Sequence, residues 1–286
     1  MLIVDAQIHR VNPVLRWATG MSKEQRLEAS AELAIASMDA AGVQKAIVYA
    51  DLGTIHGYHD RYPDRFVGVP TAEFAGIFSH DPKEQAWEDR DVPAEEYMHG
   101  LDADPTVVGL RVTLSSPERV AKLLTGGYTA YFDAAEQLGL PLCFWMPGSL
   151  PALHETLRSH SKLPCIIDHV GLPAPPYSME PNPEVFRTLP DVLALAQFSN
   201  VVVKFTGVPS LSMQPYPFDD VWPCMHQLID AFGVDRLMWG SDITRCKPLH
   251  NYRESVDFLL MTDQVSEKEK ETLFSESAFR WMRWPT

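Results

Sequence analysis

Eight short apolar runs separated by helix-like stretches constrain this chain more than any other feature, because several runs end in polar clusters. Asp5-Ala6-Gln7-Ile8-His9 closes the first run, Asp168-His169-Val170-Gly171 the sixth and Gly240-Ser241-Asp242 the eighth. Closing parallel strands into a barrel gathers their carboxyl ends into one ring, which is where (β/α)8 enzymes carry their chemistry. The pattern therefore speaks to fold and function together.

The runs are Leu2-Ile3-Val4, Lys45 to Tyr49, Phe66 to Val69, Val107 to Val112, Pro141 to Trp145, Cys165 to Asp168, Val201 to Phe205 and Arg236 to Gly240. They are almost continuously apolar, as strands covered on both faces should be. Helical patterns lie between them. Glu24 to Ala41 stops at Gly42, Pro93 starts a short helix, and Ser116 to Leu138 breaks near Gly126-Gly127. Further helical stretches run over Leu150–His160, Asp191–Phe198, Val221–Phe232, Tyr252–Met261 and Ser266–Arg283. No glycine-rich phosphate loop follows the first strand, which argues against a doubly wound sheet. The expected fold is an α/β (β/α)8 TIM barrel forming a single domain over residues 1–286. Two segments read as loops over the carboxyl face: Gly53 to Pro63, with His56, Tyr58, His59 and Asp60, and the proline-rich Pro173 to Pro190, a lid or a plain connection.

Net charge and cysteine usage narrow the partners. A formal charge of -14, without a dense cluster among 24 Lys and Arg, argues against nucleic acid. The four cysteines, Cys143, Cys165, Cys224 and Cys246, show no CxxC spacing, and Cys143 and Cys165, inside apolar runs, read as buried free thiols that suit a reducing compartment. No long apolar segment and no signal-like start is visible, so no membrane association and a cytoplasmic location are expected. The apolar tail at Trp281, Met282 and Trp284 is compatible with a homo-oligomer interface or with packing on the barrel itself.

Several residue types look outward to a ligand. Arg111, at the end of strand four, can fork onto a carboxylate. Lys204, flanked by Val203 and Phe205, reads as facing the polar mouth, or as paired with a structural carboxylate. Trp145 can stack on a planar ring or sugar face, and Arg245 is a further loop cation. Together they point to a small anionic substrate.

The order Asp5-x-Gln7-x-His9, Gly109-Leu110-Arg111, Asp168-His169-Val170-Gly171, Val203-Lys204-Phe205-Thr206-Gly207 and Gly240-Ser241-Asp242 resembles the amidohydrolase-2 family over Leu2 to about Trp281. The Pro63-Asp64-Arg65-Phe66 stretch fits too. The nearest likeness is to the lactone-hydrolase branch, with pyrone dicarboxylate and sugar-lactone hydrolases. That resemblance implies an amidohydrolase-type barrel with Asp242 as general base on water and His9 and His169 as carbonyl polarisers or metal ligands. Asp168, next to His169 on the strand, should point away from it and be structural. Gln7 departs from the family's frequent His-x-His pair, and Trp145 and Met146 stand where metal-dependent members offer Lys or His. A neutral amide is a poor zinc ligand. A metal-free site is therefore expected, with one zinc or manganese ion on His9, His169 and Asp242 as the alternative.

The resulting reading is a hydrolase that opens a lactone or related cyclic ester of a small carboxylated or hydroxylated compound. Asp242, His9, His169 and Gln7 carry the chemistry, and Arg111, Lys204, Trp145 and Arg245 hold the substrate. A metal-dependent decarboxylase of an aromatic or unsaturated acid and a non-catalytic binding protein are the alternatives.

Overall fold

The computed structural model describes residues 1–11, 20–71, 92–172, 184–246 and 250–284. Eight parallel strands form the barrel: β1 (Val4–His9), β2 (Lys45–Ala50), β3 (Phe66–Pro70), β4 (Leu110–Thr113), β5 (Leu142–Trp145), β6 (Cys165–Ile167), β7 (Val201–Thr206) and β8 (Leu237–Gly240). Regular ladders link β1-β2-β3 and β4 through β8. Isolated backbone bonds close the two remaining seams. Gly68 N donates to Thr106 O at 2.8 Å between β3 and the approach to β4, and Asp242 N donates to Gln7 O at 3.0 Å between β8 and β1. Gly240 makes the second seam possible, since a Cβ there would stand 3.2 Å from Gln7 N.

Helices alternate with the strands. They include α1 (Lys23–Ala41), α2 (Leu52–Arg61), α3 (Ala94–Asp102), α4 (Pro117–Leu124), α5 (Thr129–Leu138), α6 (His154–Ser159), α7 (Leu189–Leu193), α8 (Trp222–Phe232), α9 (Ile243–Cys246) and α10 (Tyr252–Leu260). A capping box at Ser22 and Gln25 starts α1, and Gly42 at φ 79° ends it, as a left-handed stop favours glycine. The carboxyl-terminal helical stretch runs on without a break but changes its winding: Glu267–Glu271, a π turn at Thr272–Glu276 and Ser277–Trp281 follow one another.

One expected loop is a helix. Gly53 to Pro63 is mostly α2, capped by Asp51, whose Oδ1 accepts from Thr54 N at 2.9 Å. Its Ile55 and Tyr58 are buried, a helical spacing that two glycines had masked. His56 binds Asp104 Oδ2 at 2.6 Å and His59 Nδ1 donates to Phe66 O at 2.7 Å. These histidines fasten α2 to its surroundings. Of the proline-rich segment, residues 173–183 lie outside the described residues, and its last part forms a 3-10 turn at Val185–Thr188 and the start of α7.

Two apolar layers result. Val4, Ala6, Ile47, Val67, Val108, Ile166, Val202 and Met238 fill the barrel from within, and Met282 and Trp284 join that cluster. The tail thus packs on the barrel. The larger layer lies between strands and helices.

A bulge in β1 decides what faces the site. Asp5 pairs with Ala46 and Ile8 with Val48, so three steps on β1 match two on β2. Simple alternation from the inward Val4 and Ala6 would turn Gln7 and His9 to the outer face. The extra residue reverses the phase, so that Gln7 and His9 reach inward while Ile8 joins the outer layer.

Candidate active site

Asp242 follows β8 with φ 47°, a left-handed conformation that costs a non-glycine residue about 1 kcal/mol or more. Its backbone spans the seam to β1 and its carboxylate is fully buried. Oδ1 lies 3.2 Å from His9 Nε2 and Oδ2 lies 3.9 Å from His169 Nδ1. The carboxylate does not cap α9. Ser241 Oγ instead accepts from Ile243 N at 3.0 Å. Strain in the backbone and a carboxylate turned into the barrel are features of a functional position.

Gln7 connects the groups around it. Lys204 Nζ donates to its Oε1 at 2.5 Å, which fixes the amide orientation. The amide nitrogen then lies 3.3 Å from His9 Nε2 and 3.2 Å from His169 Nε2, donating to both. His9 Nδ1 lies 2.9 Å from Tyr49 O, which can only accept, so that nitrogen carries the proton. The His169 Nε2 also faces Arg111 Nη2 at 3.4 Å. His169 Nε2 therefore faces only donors and keeps its lone pair, which puts the proton of that neutral imidazole on Nδ1, whereas His9 Nε2 lies between the Gln7 amide nitrogen and Asp242 Oδ1.

Their electrostatics agree. Burial, and then the Arg245 guanidinium, lowers His9 to about 3, against the pull of Asp242. Burial lowers His169 to about 4, with Asp242 and Asp168 opposing. Burial pushes the Asp242 carboxyl up, but His9, His169 and Arg245 outweigh it and hold it below the ordinary carboxylate range. At neutral pH the cluster is an ionised carboxylate between two neutral imidazoles.

Beneath it lies a second charge cluster. Asp168 does not point away from His169. It faces inward, and the left-handed backbone of His169, Val170 and Gly171 brings the imidazole in beside it. Asp168 Oδ1 lies 2.7 Å from Lys204 Nζ and Oδ2 lies 3.1 Å from Arg111 Nε, with all three side chains fully buried. The guanidinium sits between the Tyr49 and Trp145 rings at 5.6 and 5.4 Å. Arg111 and Lys204 thus already serve an internal carboxylate, and direct contact with a substrate would require these pairs to open. Trp145 and Arg245 are only partly buried, and Arg245 Nη2 is 3.5 Å from His9 Nδ1.

Three contributors escaped the sequence reading. Tyr49 accepts from Lys204 Nζ at 2.7 Å and donates to Cys143 Sγ at 3.1 Å, while its carbonyl sets the His9 tautomer. Asp5 joins β1 to β8 and α10: Oδ1 accepts from Gln7 N and Ser241 N, and Oδ2 accepts from Ser241 Oγ and from Tyr252 OH at 2.7 Å. Thr206, at the end of β7, pairs with Gly240 and turns inward. A polar group at the carboxyl end of an apolar run, the signal that had singled out Gln7, His9 and Asp242, was available for all three.

Among the described residues, one cavity borders the site and another lies behind it. A water-sized one of about 10 Å³ is lined by His169, Thr206, Gly207, Ser210, Leu211, Asp242 and Cys246. Another, of about 320 Å³ and largely apolar, lies across β1 against Ile8, Ala34, Met38, Ile243 and Tyr252. The second shares the strand but not its inward face.

The donor set does not fit a metal ion as placed. The Nε2 atoms that would ligate one both face the Gln7 nitrogen, which can only donate, and Arg111 crowds His169 from the other side. Among the described residues no group of three or more His, Cys, Asp or Glu is arranged to hold a cation.

The fold has solved counterparts. An amidohydrolase from Burkholderia multivorans with bound HEPES is 18% identical, at TM-score 0.73, over 100% of both chains. A second crystal form of that amidohydrolase contains zinc (17% identity, TM-score 0.67, 100% of both chains). A candidate 2-pyrone-4,6-dicarboxylic acid hydrolase from Acinetobacter baumannii with citric acid bound is 16% identical, at TM-score 0.69, over 99% of this chain and 100% of that one. The 5-carboxyvanillate decarboxylase from Novosphingobium aromaticivorans, complexed with manganese and a nitrobenzoic acid, is 17% identical, at TM-score 0.61, over 99% of this chain and 96% of that one. No curated protein matches the sequence. A family model for amidohydrolases matches residues 4–284, nearly the whole barrel. The chain belongs to the amidohydrolase-2 family.

Proposed function

We propose that the protein is a hydrolase that opens a small carboxylated lactone, with Asp242 as the general base. The observation carrying this reading is the ionised, fully buried Asp242 set between two imidazoles that Gln7 keeps neutral. A carboxylate in that setting accepts a proton from water as the water oxygen attacks a carbonyl carbon. The ring C–O bond then breaks, and the departing oxygen recovers the proton from Asp242. The products are a carboxylic acid, which releases its proton to solvent to become a carboxylate, and one hydroxyl.

The tautomers refine the other roles. Because Nε2 of His169 accepts from Gln7, its Nδ1–H is the imidazole donor that polarises the carbonyl, while His9, held by the Tyr49 carbonyl, orients the Asp242 carboxylate. Arg245 and Trp145 are the proposed substrate contacts, the first for a carboxylate and the second for the ring face. Arg111 and Lys204 act through the groups they hold: Lys204 sets the Gln7 amide and Arg111 buttresses His169.

A metal-dependent decarboxylase remains the second reading, because a manganese-containing decarboxylase shares the fold. It needs a cation to hold carboxylate and hydroxyl, and Gln7 stands against one. A binding protein without catalysis has no use for a strained, ionised Asp242. The test is a panel of carboxylated and hydroxylated lactones with wild type and Asp242→Asn. The reading expects turnover by wild type and a loss of at least about 1000-fold in the variant. An Asp242→Asn protein with a rate near that of wild type removes Asp242 from the mechanism.

A further inference from the structure

The small cavity beside Asp242 has a particular chemistry. Thr206 and Asp242 reach it from adjoining strands β7 and β8, and His169 reaches it from the turn after β6. The Thr206 side chain is buried, and its Oγ1 has no hydrogen-bond partner among the described residues. A buried hydroxyl left so costs about 1–3 kcal/mol, a cost that function can explain. One glycine lines the space and another adjoins Thr206. A Cβ on Gly240 would stand 3.4 Å from Thr206 Oγ1, and one on Gly207, at φ 67°, would stand 3.8 Å from Asp242 Cβ and 3.3 Å from Cys246 Sγ. At about 10 Å³ the cavity has room for one water, and a buried water needs two to four polar partners. Thr206 Oγ1 and the Asp242 carboxylate provide two.

We infer that Thr206 is the positioning residue for the attacking water, an inference that rests on the hydrolase reading of this site. The water gives one hydrogen to Thr206 Oγ1 and the other to Asp242. That arrangement fixes the direction of its free lone pair before the substrate arrives. During attack the Asp242-facing O–H bond breaks and the new C–O bond forms, while the hydrogen held by Thr206 stays on the nascent acid. Thr206 exchanges no proton and acts by orientation alone.

Crystal structures of wild type and Thr206→Val, which keeps the side-chain shape, test the inference without any substrate. The expected result is one ordered water within hydrogen-bond reach of both Thr206 Oγ1 and Asp242 in wild type, lost or displaced in the variant. A cavity without water in wild type, or the same water undisturbed in Thr206→Val, overturns it. On any lactone that wild type opens, Thr206→Val should lower kcat about 10- to 100-fold with KM unchanged, and Thr206→Ser should restore most of the rate. An unchanged kcat in the valine variant also overturns the inference. If wild type opens no lactone, the hydrolase reading fails, and the diffraction experiment still decides the water site.

Discussion

Replacing Asp168 by Asn should destabilise the protein severely while leaving its shape unchanged. In wild type one carboxylate neutralises two cations, 2.7 Å from Lys204 Nζ and 3.1 Å from Arg111 Nε, with no side chain of the three exposed. Removing one partner of a buried pair costs about 3–5 kcal/mol, because the remaining charge stays buried and uncompensated. Two cations are affected here. Lys204 keeps Gln7 Oε1 and Tyr49 OH as acceptors, and the asparagine oxygen can still accept from one cation, so the upper end of that range is a fair ceiling. For a chain of this size about 3–5 kcal/mol corresponds to roughly 6–20 °C in Tm. Calorimetry at pH 7.5, backed by urea unfolding, reads the loss. Lys204 and Arg111 hold Asp168 below the ordinary carboxylate range despite burial. Its contribution is therefore present above the unfolded carboxylate value and disappears as pH falls through the folded one, so the gap between wild type and variant should close in acid. The double variant with Lys204→Met should lose less than the two single losses combined. A Tm within 2 °C of wild type, the scale of about 1 kcal/mol or less, would refute the argument.

Other outcomes follow from the same geometry. Gln7→His removes the amide hydrogens from His9 and His169 and adds a third imidazole, so the variant should retain about one equivalent of zinc after dialysis, measured by elemental mass spectrometry. Retention no higher than wild type would contradict the view that the amide blocks those nitrogens. The rate should be level between about pH 5 and 8, where Asp242 is ionised and the imidazoles, lowered to about 3 and 4, are neutral. It should fall in acid as His169 protonates, and a rise of activity below pH 5 would be the wrong sign. The lowered histidines also make folding stability climb with pH from about 4 to 6.5. Asp5, raised by burial to about 6 against the donors from Ser241, Tyr252 and Gln7, contributes the opposite slope between about 4 and 6. Asp5→Asn should therefore steepen the climb in urea titrations across that interval. Tyr252→Phe removes one donor from Asp5 and should cost about 1–2 kcal/mol in the same assay.

Much of the architecture was legible because parallel strands buried on both faces leave uninterrupted apolar runs, and the polar residues that end them stand out. Phase within a strand was not legible. The β1 bulge inserts a residue that no local propensity signals, yet it alone brings Gln7 and His9 inside. The turn after β6 has the same character. Alternation sends Asp168 and His169 to opposite sides, whereas three successive left-handed residues gather both into the barrel. Lys204 was recognisable as unusual within its strand, but its partners come from β1, β2 and the end of β6, far apart in sequence. Helix α2 shows the reverse error, since two glycines and several polar residues outweighed a good cap at Asp51.

The central claim is that this barrel opens its substrate with Asp242 and a Gln7-held imidazole pair, without a resident cation. The most direct test is lactone hydrolysis by protein stripped with chelator and shown by elemental mass spectrometry to hold less than about a tenth of an equivalent of metal. The account predicts that the stripped protein keeps the full rate and that added zinc or manganese does not raise it. A rate that vanishes on stripping and returns with one equivalent of either ion would contradict the account.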